Sequence, residues 1–442
     1  MRSFNWYVLA LAAGLILSPD TLTRFGNSVG ATGWFIFMSL PVAIVIHIAT
    51  VQSFRVLQTT GGSPVRGIQK TLGRRNSAIL LICGKLPFAV FASAGLVVSA
   101  GFVFNEVFVY WFPNFAFAFL LLAAILVLNL ISRKAALATQ VITIAAACIG
   151  LLILTGAGLL SLSGATNIPA AGINFDYRCL ATAVIVLIGF DMALHASWNT
   201  NHTFSQMSRT IMFALIGSGV LLALWGLASM AVVPAAKLES SSIPHMTMAR
   251  KALGQTGRLI MGTVVICGVT AAVNAMMLSV STMVGQLVST EEISDRVGYP
   301  LKARVATLLF TAGASALLMA LGFVGEPVLE TWIRSSLVLW LFYYIMVNIS
   351  AYLAGRAAPS MANTGQASPA LFLKALSIAG TALAAAGLVI FEPRPLDMLV
   401  FITAIGAAVT ALVSVADLYL GRAARRVPEN QTIRLNQTES NP

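Results

Sequence analysis

The sequence predicts an all-α integral membrane protein with twelve transmembrane helices. Composition, the recurrence of long apolar stretches and the one-sided placement of the basic residues predict it. Of 442 residues, 58% are hydrophobic and only 10% are charged, whereas a soluble domain carries about 25% charged residues. The mean hydropathy of +0.87 agrees. A spanning helix needs about 20 mostly apolar residues, and such stretches recur along the whole chain.

The first predicted span, Trp6 to Asp20, breaks around Ala12 to Asp20, and the polar stretch Pro19 to Asn27 follows it. Arg2 ahead of an apolar run resembles a signal peptide, but no small-x-small cleavage site follows Ser18, so the segment is expected to stay in the mature protein. Spans two to five are Gly33 to Phe54, Ser77 to Phe104, Phe115 to Ile131 and Ala135 to Leu160. The sixth, Leu180 to Asn199, is interrupted around Ile188 to His195. Then come Thr210 to Val233, Leu259 to Val288, Val305 to Phe323, Thr331 to Leu353, Ala370 to Phe391 and Met398 to Leu420. Arg55 to Arg75 reads as a loop with a short surface helix, and Pro234 to Arg258 as an extracellular cap. The tail after Leu420 turns polar and is expected to be disordered, with its sequons at Asn430 and Asn436 unused.

In a bilayer every backbone amide and carbonyl must be satisfied within the protein, so a spanning helix opens only where protein or a cavity receives it. Two openings five segments apart point to a midplane substrate site of a transporter.

The net charge of +12 belongs to the membrane setting. Arg2, Arg55, Arg66, Lys70, Arg74, Arg75, Arg133, Lys134, Arg209, Arg296, Lys302, Arg304, Arg356, Lys374, Arg422, Arg425, Arg426 and Arg434 fall on the side of the N-terminus. Arg24, Arg178, Lys237, Arg250, Lys251, Arg258 and Arg394 fall on the other. That bias puts both termini in the cytoplasm and the basic excess against anionic inner-leaflet lipid. The expected location is the plasma (cell inner) membrane, with no nucleic-acid partner. Cys83, Cys148, Cys179 and Cys267 lack metal-type spacing and read as small buried hydrophobes. No Walker loop, nucleophile elbow or dinucleotide fingerprint occurs, so neither a cofactor nor a metal nor catalysis is expected.

Four stretches in order resemble the amino acid-polyamine-organocation (APC) superfamily of permeases. "GLILSPDTLTRFGNSVGATGW" places Gly14 and Pro19 on the family's first-helix glycine and proline. Asn129 to Gly150 is similar to the hairpin between helices 4 and 5, and "IGFDMALHAS" to the broken sixth helix, with Gly189, Phe190 and Asp191 on its glycine, aromatic and acidic positions. "NAMMLSVST" resembles the eighth helix through Asn274 and Ser281. The resemblance implies a leucine-transporter-like fold of two inverted five-helix repeats, residues 1–161 and 162–355. Two further helices over 356–421 and a cytoplasmic tail over 422–442 complete it, with helices 1 and 6 discontinuous. It also implies a secondary transporter, symporter or antiporter, for an amino acid or related amine.

Departures from the family pattern thin the recognition chemistry. One glycine of the first break is absent, the wall "VIVLIG" before the second is aliphatic, and Trp198-Asn199 and Thr282 replace the usual acidic pair and arginine. The candidate substrate site is Ala12, Ala13, Gly14 and Leu15 at the first break with Ile188, Gly189, Phe190 and Asp191 at the second. Exposed amides at the first break suit a carboxylate, and Asp191 suits an ammonium.

An ionisable group inside a span costs several kcal/mol unless it is paired or hydrated. Asp191 and His195, four apart, share a face of the resumed helix, and imidazole is the side chain that titrates near neutrality. A structural hydrogen-bonded pair is the alternative. Lys85 reads first as a residue snorkelling to the inner interface, with a proton-sensitive switch as the alternative. His47 and Asp20 read as packing or interfacial residues, and Arg334, Glu330 and Asp417 as helix-end residues. Thr270 is a possible sodium ligand, but titratable Asp191, His195 and Lys85 favour H+ over Na+ as the coupling ion. A carrier of another metabolite, such as a nucleobase, and a non-transporting sensor or scaffold are the competing functions. Oligomeric state is not legible.

Overall fold

Asn5 starts the first helix by accepting the Val8 amide on Oδ1 (3.2 Å), and α1 runs Trp6–Ala13. Ser18 caps the second in the same way, with Pro19 at a position whose missing N–H costs nothing. The computed structural model describes residues 5–161, 177–196, 204–289, 299–356 and 367–425, and their regular structure is entirely helical.

The polar stretch after Pro19 is therefore not a loop. Pro19–Thr32 is helix α2, which buries Thr21, Leu22, Phe25, Gly26 and Val29 along one stripe and leaves Asp20 half-exposed in an ion pair with Arg24 (2.9 Å). Its amphipathic period outweighs its low overall hydrophobicity.

The chain continues with α3 (Phe35–Gly61), α4 (Pro64–Leu72) and α5 (Arg74–Val103), the last closed by a π-turn over Phe104–Phe108. The short helix expected between the second and third spans is α4, and it buries Val65 and Ile68 fully. Next come α6 (Asn114–Ile131) and α7 (Arg133–Leu160), then the short α8 (Tyr177–Val186) and α9 (Met192–Ala196), and α10 (Phe204–Val232). The expected cap consists of α11 (Ala235–Ser240) and the start of α12 (Pro244–Val288). Leu253 and Gly254 kink α12 sharply, with Gly254 at φ +59°. Finally, α13 spans Tyr299–Ala320, α14 Pro327–Arg356, α15 Ala367–Ile390 and α16 Pro395–Arg425.

Among the described residues ten helices are long and apolar enough to cross a membrane. The first and sixth predicted spans are not among them, because each is divided into two short helices. The part of α12 beyond its kink is the axis of the molecule. It packs along α7, α5, α13 and α9, while α14 packs against α5, α3 and α15. The core between them is continuous and apolar. Trp198 and Asn199, the sequons and most of the tail lie outside the described residues, although α16 carries the helix past Leu420 to Arg425.

Candidate functional site

α1 stops at Ala13, and the chain crosses to α2 through five residues held by few bonds. The Gly14 amide donates to Leu11 O (3.4 Å), Leu17 to Ala13 O (3.0 Å), and the Thr21 hydroxyl to Leu15 O (3.1 Å). A side chain from another helix completes the crossing, since Gln140 of α7 donates from Nε2 to Ala10 O (3.0 Å). That bond satisfies a carbonyl the shortened helix leaves over. Among the described residues the amides of Leu15 and Ile16 have no hydrogen-bond partner.

The second crossing lies against the first. α8 ends at Val186, Leu187 and Ile188 make tight turns onto Val184 and Ile185, and Gly189 takes φ +106° before α9 resumes at Met192. A Cβ on Gly189 would stand 2.7 Å from the Cβ of Leu15, so this glycine allows both the backbone turn and the contact between the crossings. The predicted site residues Ala12, Ala13, Gly14, Leu15, Ile188, Gly189, Phe190 and Asp191 are all buried.

Next to this contact sits a sealed charged cluster. Lys85 of α5 donates to Asp191 Oδ2, with the two side chains 1% and 0% exposed. The Tyr344 hydroxyl of α14 donates to Asp191 Oδ1 (2.7 Å). The ammonium also stands 4.3 Å from the Trp340 ring centroid and 5.2 Å from that of Tyr343, so aromatic faces share its charge. His195 Nε2 lies 3.3 Å from the Tyr343 hydroxyl. Phe190 packs between His47 (5.2 Å) and Tyr344 (5.4 Å), and His47 Nε2 donates to Val184 O (2.8 Å) at the end of α8. The Nδ1 atoms of both histidines are buried without a partner among the described residues.

The sequence reading is corrected at Lys85. Its side chain does not snorkel: α5 begins at Arg74, which puts Lys85 about 16 Å along the axis, and the ammonium turns inward to Asp191. The structure thus brings together Lys85, Asp191 and His195 of the four coupling candidates. Thr270 instead donates to Ile266 O of its own helix (2.7 Å), and Ser281 likewise turns back to Leu278 O. Beside the first crossing runs the amide chain Asn129–Asn274–Gln140. Asn129 donates to Asn274 Oδ1 and Asn274 to Gln140 Oε1, both at 2.8 Å.

Sequence reasoning missed Gln140, Trp340, Tyr343 and Tyr344, and took His47 for a packing residue. The run "WLFYYIMVN" held a usable signal, because adjacent tyrosines in an apolar span need partners for their hydroxyls. Asn348 in the same run accepts from Ser53 (2.7 Å) and donates to Ser377 (3.2 Å), tying α14 to α3 and α15.

Among the described residues no group of three or more His, Cys, Asp or Glu side chains is arranged to hold a metal ion. The four cysteines form no disulfide. Chemically the cluster is an internal ion pair under an aromatic cover.

No family model and no curated protein matches the sequence. Solved structures do match. Two mutant forms of the Eremococcus coleocola manganese transporter align with TM-scores of 0.58 at 12% identity, over 95% of this chain and 94% of theirs. A substrate-bound, outward-open Na+-coupled sialic acid symporter aligns with a TM-score of 0.55 at 12% identity, over 89% of this chain and 91% of its own. At that identity the likeness is one of fold: the chain shares the helical architecture of these transporters.

Proposed function

We propose that this protein is a secondary transporter working by alternating access, with its substrate site between the α1–α2 and α8–α9 crossings. On this reading each pair of short helices is one discontinuous span, which gives twelve spans in all. Residues 1–161 and 162–355 are the inverted repeats, with two additional helices over 356–421. The observation that carries it is the sealed Lys85–Asp191 pair beside the contact of the two crossings. A buried pair costs several kcal/mol of desolvation per ion, and an intramembrane pair is a functional position by default.

The proposed substrate is a small amine or amino acid. Its ammonium would take the place of Lys85 at Asp191, and its carboxylate would meet the amides of Leu15 and Ile16. With His195 beside the pair, the proposed coupling ion is H+. The fold neighbours include a Na+-coupled symporter, so both gradients belong in the test. A second reading rests on the same ion pair: because Lys85 already neutralises Asp191, a neutral metabolite such as a nucleobase could bind without displacing anything. A divalent cation is not favoured, because its one carboxylate here is held by an ammonium.

Proteoliposomes loaded against an inward pH gradient, an inward Na+ gradient or neither, and offered labelled amino acids, amines and nucleobases, test this directly. Uptake of an amine driven by the pH gradient and abolished by Asp191→Asn is expected. Uptake only of uncharged substrates, unchanged in that variant, would overturn the assignment.

A further inference from the structure

Away from the crossings, two guanidinium groups meet at the corner between α6 and α7, and no carboxylate among the described residues pairs with either. We propose that Arg133 and Arg304 form a binding site for a phosphate group on the face the charge bias assigns to the cytoplasm. The site does not depend on the transport reading.

The corner is built by a helix stop and a restart. α6 ends at Ile131, Ser132 takes an extended conformation, and its hydroxyl accepts the Ala135 amide (3.3 Å) to start α7. Arg133 and Lys134 are thus the first two helical residues, with no acid in that turn. That is the reverse of what the positive end of a helix favours. Arg304 of α13 reaches the same corner, where its Nη2 donates to Asn129 O (3.4 Å) in the last turn of α6. Arg133 donates from Nη2 to Ala196 O at the end of α9.

Each guanidinium therefore spends one edge on a backbone carbonyl. Among the described residues the buried Nε atoms of both have no hydrogen-bond partner, and no carboxylate forms an ion pair with either arginine. α12 passes the same place, because a Cβ on Gly285 would lie 4.0 Å from the Cβ of Arg304. Gln286, next in the chain, has both side-chain amide atoms buried and, among the described residues, unpartnered.

A buried donor left unmade costs more when it belongs to a charged group. Two like charges at one corner add repulsion. An anion with several acceptor oxygens answers both, and the planar fork of arginine matches phosphate oxygens two at a time. Either an anionic lipid headgroup or a free phosphate supplies that chemistry.

The experiment uses the full chain, purified in neutral detergent and tested by thermal unfolding and native mass spectrometry. Three probes are added separately: phosphatidylglycerol, phosphatidylcholine and inorganic phosphate. Wild type is compared with Arg304→Gln, Arg133→Gln, the charge-preserving Arg304→Lys and the control Arg66→Gln, whose side chain is exposed on α4.

A melting-temperature rise with phosphatidylglycerol, with one lipid retained in the gas phase, is expected for wild type and Arg66→Gln. The rise should vanish in both glutamine variants and shrink at least tenfold in apparent affinity in Arg304→Lys. The same pattern with inorganic phosphate alone identifies a soluble phosphate as the occupant and upholds the site. If the glutamine variants fail to fold, the wild-type and Arg304→Lys comparison still decides. Binding equal in wild type and Arg304→Lys, equal for phosphatidylcholine, or absent for every probe would overturn the proposal.

Discussion

Lys85 and Asp191, 106 positions apart in the sequence, form an ion pair sealed from solvent. Neither charge is exposed to solvent, so each depends on the other. Removing one partner strands a buried charge and costs about 3–5 kcal/mol, while replacing both with apolar groups of similar size costs far less. Lys85→Met should therefore lower the melting temperature sharply, and Lys85→Met/Asp191→Leu should regain most of it. Thermal unfolding of wild type, Lys85→Met, Asp191→Leu and the double variant in one detergent measures this, and additive losses would show that the pair does not couple.

Tyr344 holds the other carboxylate oxygen of Asp191 at 2.7 Å. A hydrogen bond to a charged group contributes about 1.5–3 kcal/mol, so Tyr344→Phe should lose that much stability. On the proposed reading it should also reduce uptake more than Tyr343→Phe, whose hydroxyl faces His195 instead. Equal uptake in the two variants would detach Tyr344 from the site.

The sequence made the membrane class and both interruptions legible, because composition and Gly-Pro punctuation act locally. It also marked Asp191 and His195, whose charge inside an apolar run is visible in one dimension. It did not show that Lys85 faces Asp191. A lysine near a span's cytoplasmic end and one turned inward read alike until the helix start is known, and α5 begins three residues before the predicted span. Helix α2 was hidden for a different reason. Its residues are polar on average, and only the burial of one stripe by Leu22, Phe25 and Val29 reveals a helix there. The partners of the cluster stayed out of reach because α14 meets α5 only through tertiary packing.

Gln140 binds the carbonyl that α1 leaves over at Ala10 and accepts from Asn274. Gln140→Leu deletes both bonds and strands two buried groups, each costing about 1–3 kcal/mol. The expected result is a lower melting temperature together with faster amide exchange over Ala10 to Ser18. If exchange rises uniformly instead, Gln140 is not what fixes the first crossing.

Glu392, between α15 and α16, gives a pH-dependent contribution. Burial pushes its carboxyl up, but Arg334 (2.6 and 3.2 Å) and the Thr331 hydroxyl (2.9 Å) together hold it below its ordinary value. A depressed folded-state value stabilises fully above the unfolded carboxylate range and loses that contribution as pH falls through the folded value. Wild type should therefore melt above Glu392→Gln at neutral pH, and the gap should close on acidification. A gap that stays constant from neutral to acid pH would contradict the assigned cause.

Gly189 joins the two crossings, and its replacement separates two costs. At φ +106° any side chain strains the backbone, by about 1–3 kcal/mol. A Cβ there also strikes Leu15 at 2.7 Å, and overpacking of this kind costs about 1–3 kcal/mol more. Gly189→Ala should carry both losses. Gly189→Ala/Leu15→Ala removes the 2.9 and 3.3 Å contacts with Leu15 Cδ2 and Cγ but keeps the 2.7 Å Cβ contact and the backbone strain. It should therefore regain only part of the overpacking loss, offset by the cavity that Leu15→Ala leaves. Leu15→Ala alone measures that cavity cost, and the double-mutant cycle isolates the coupling. Zero coupling would mean the crossings do not touch through these residues.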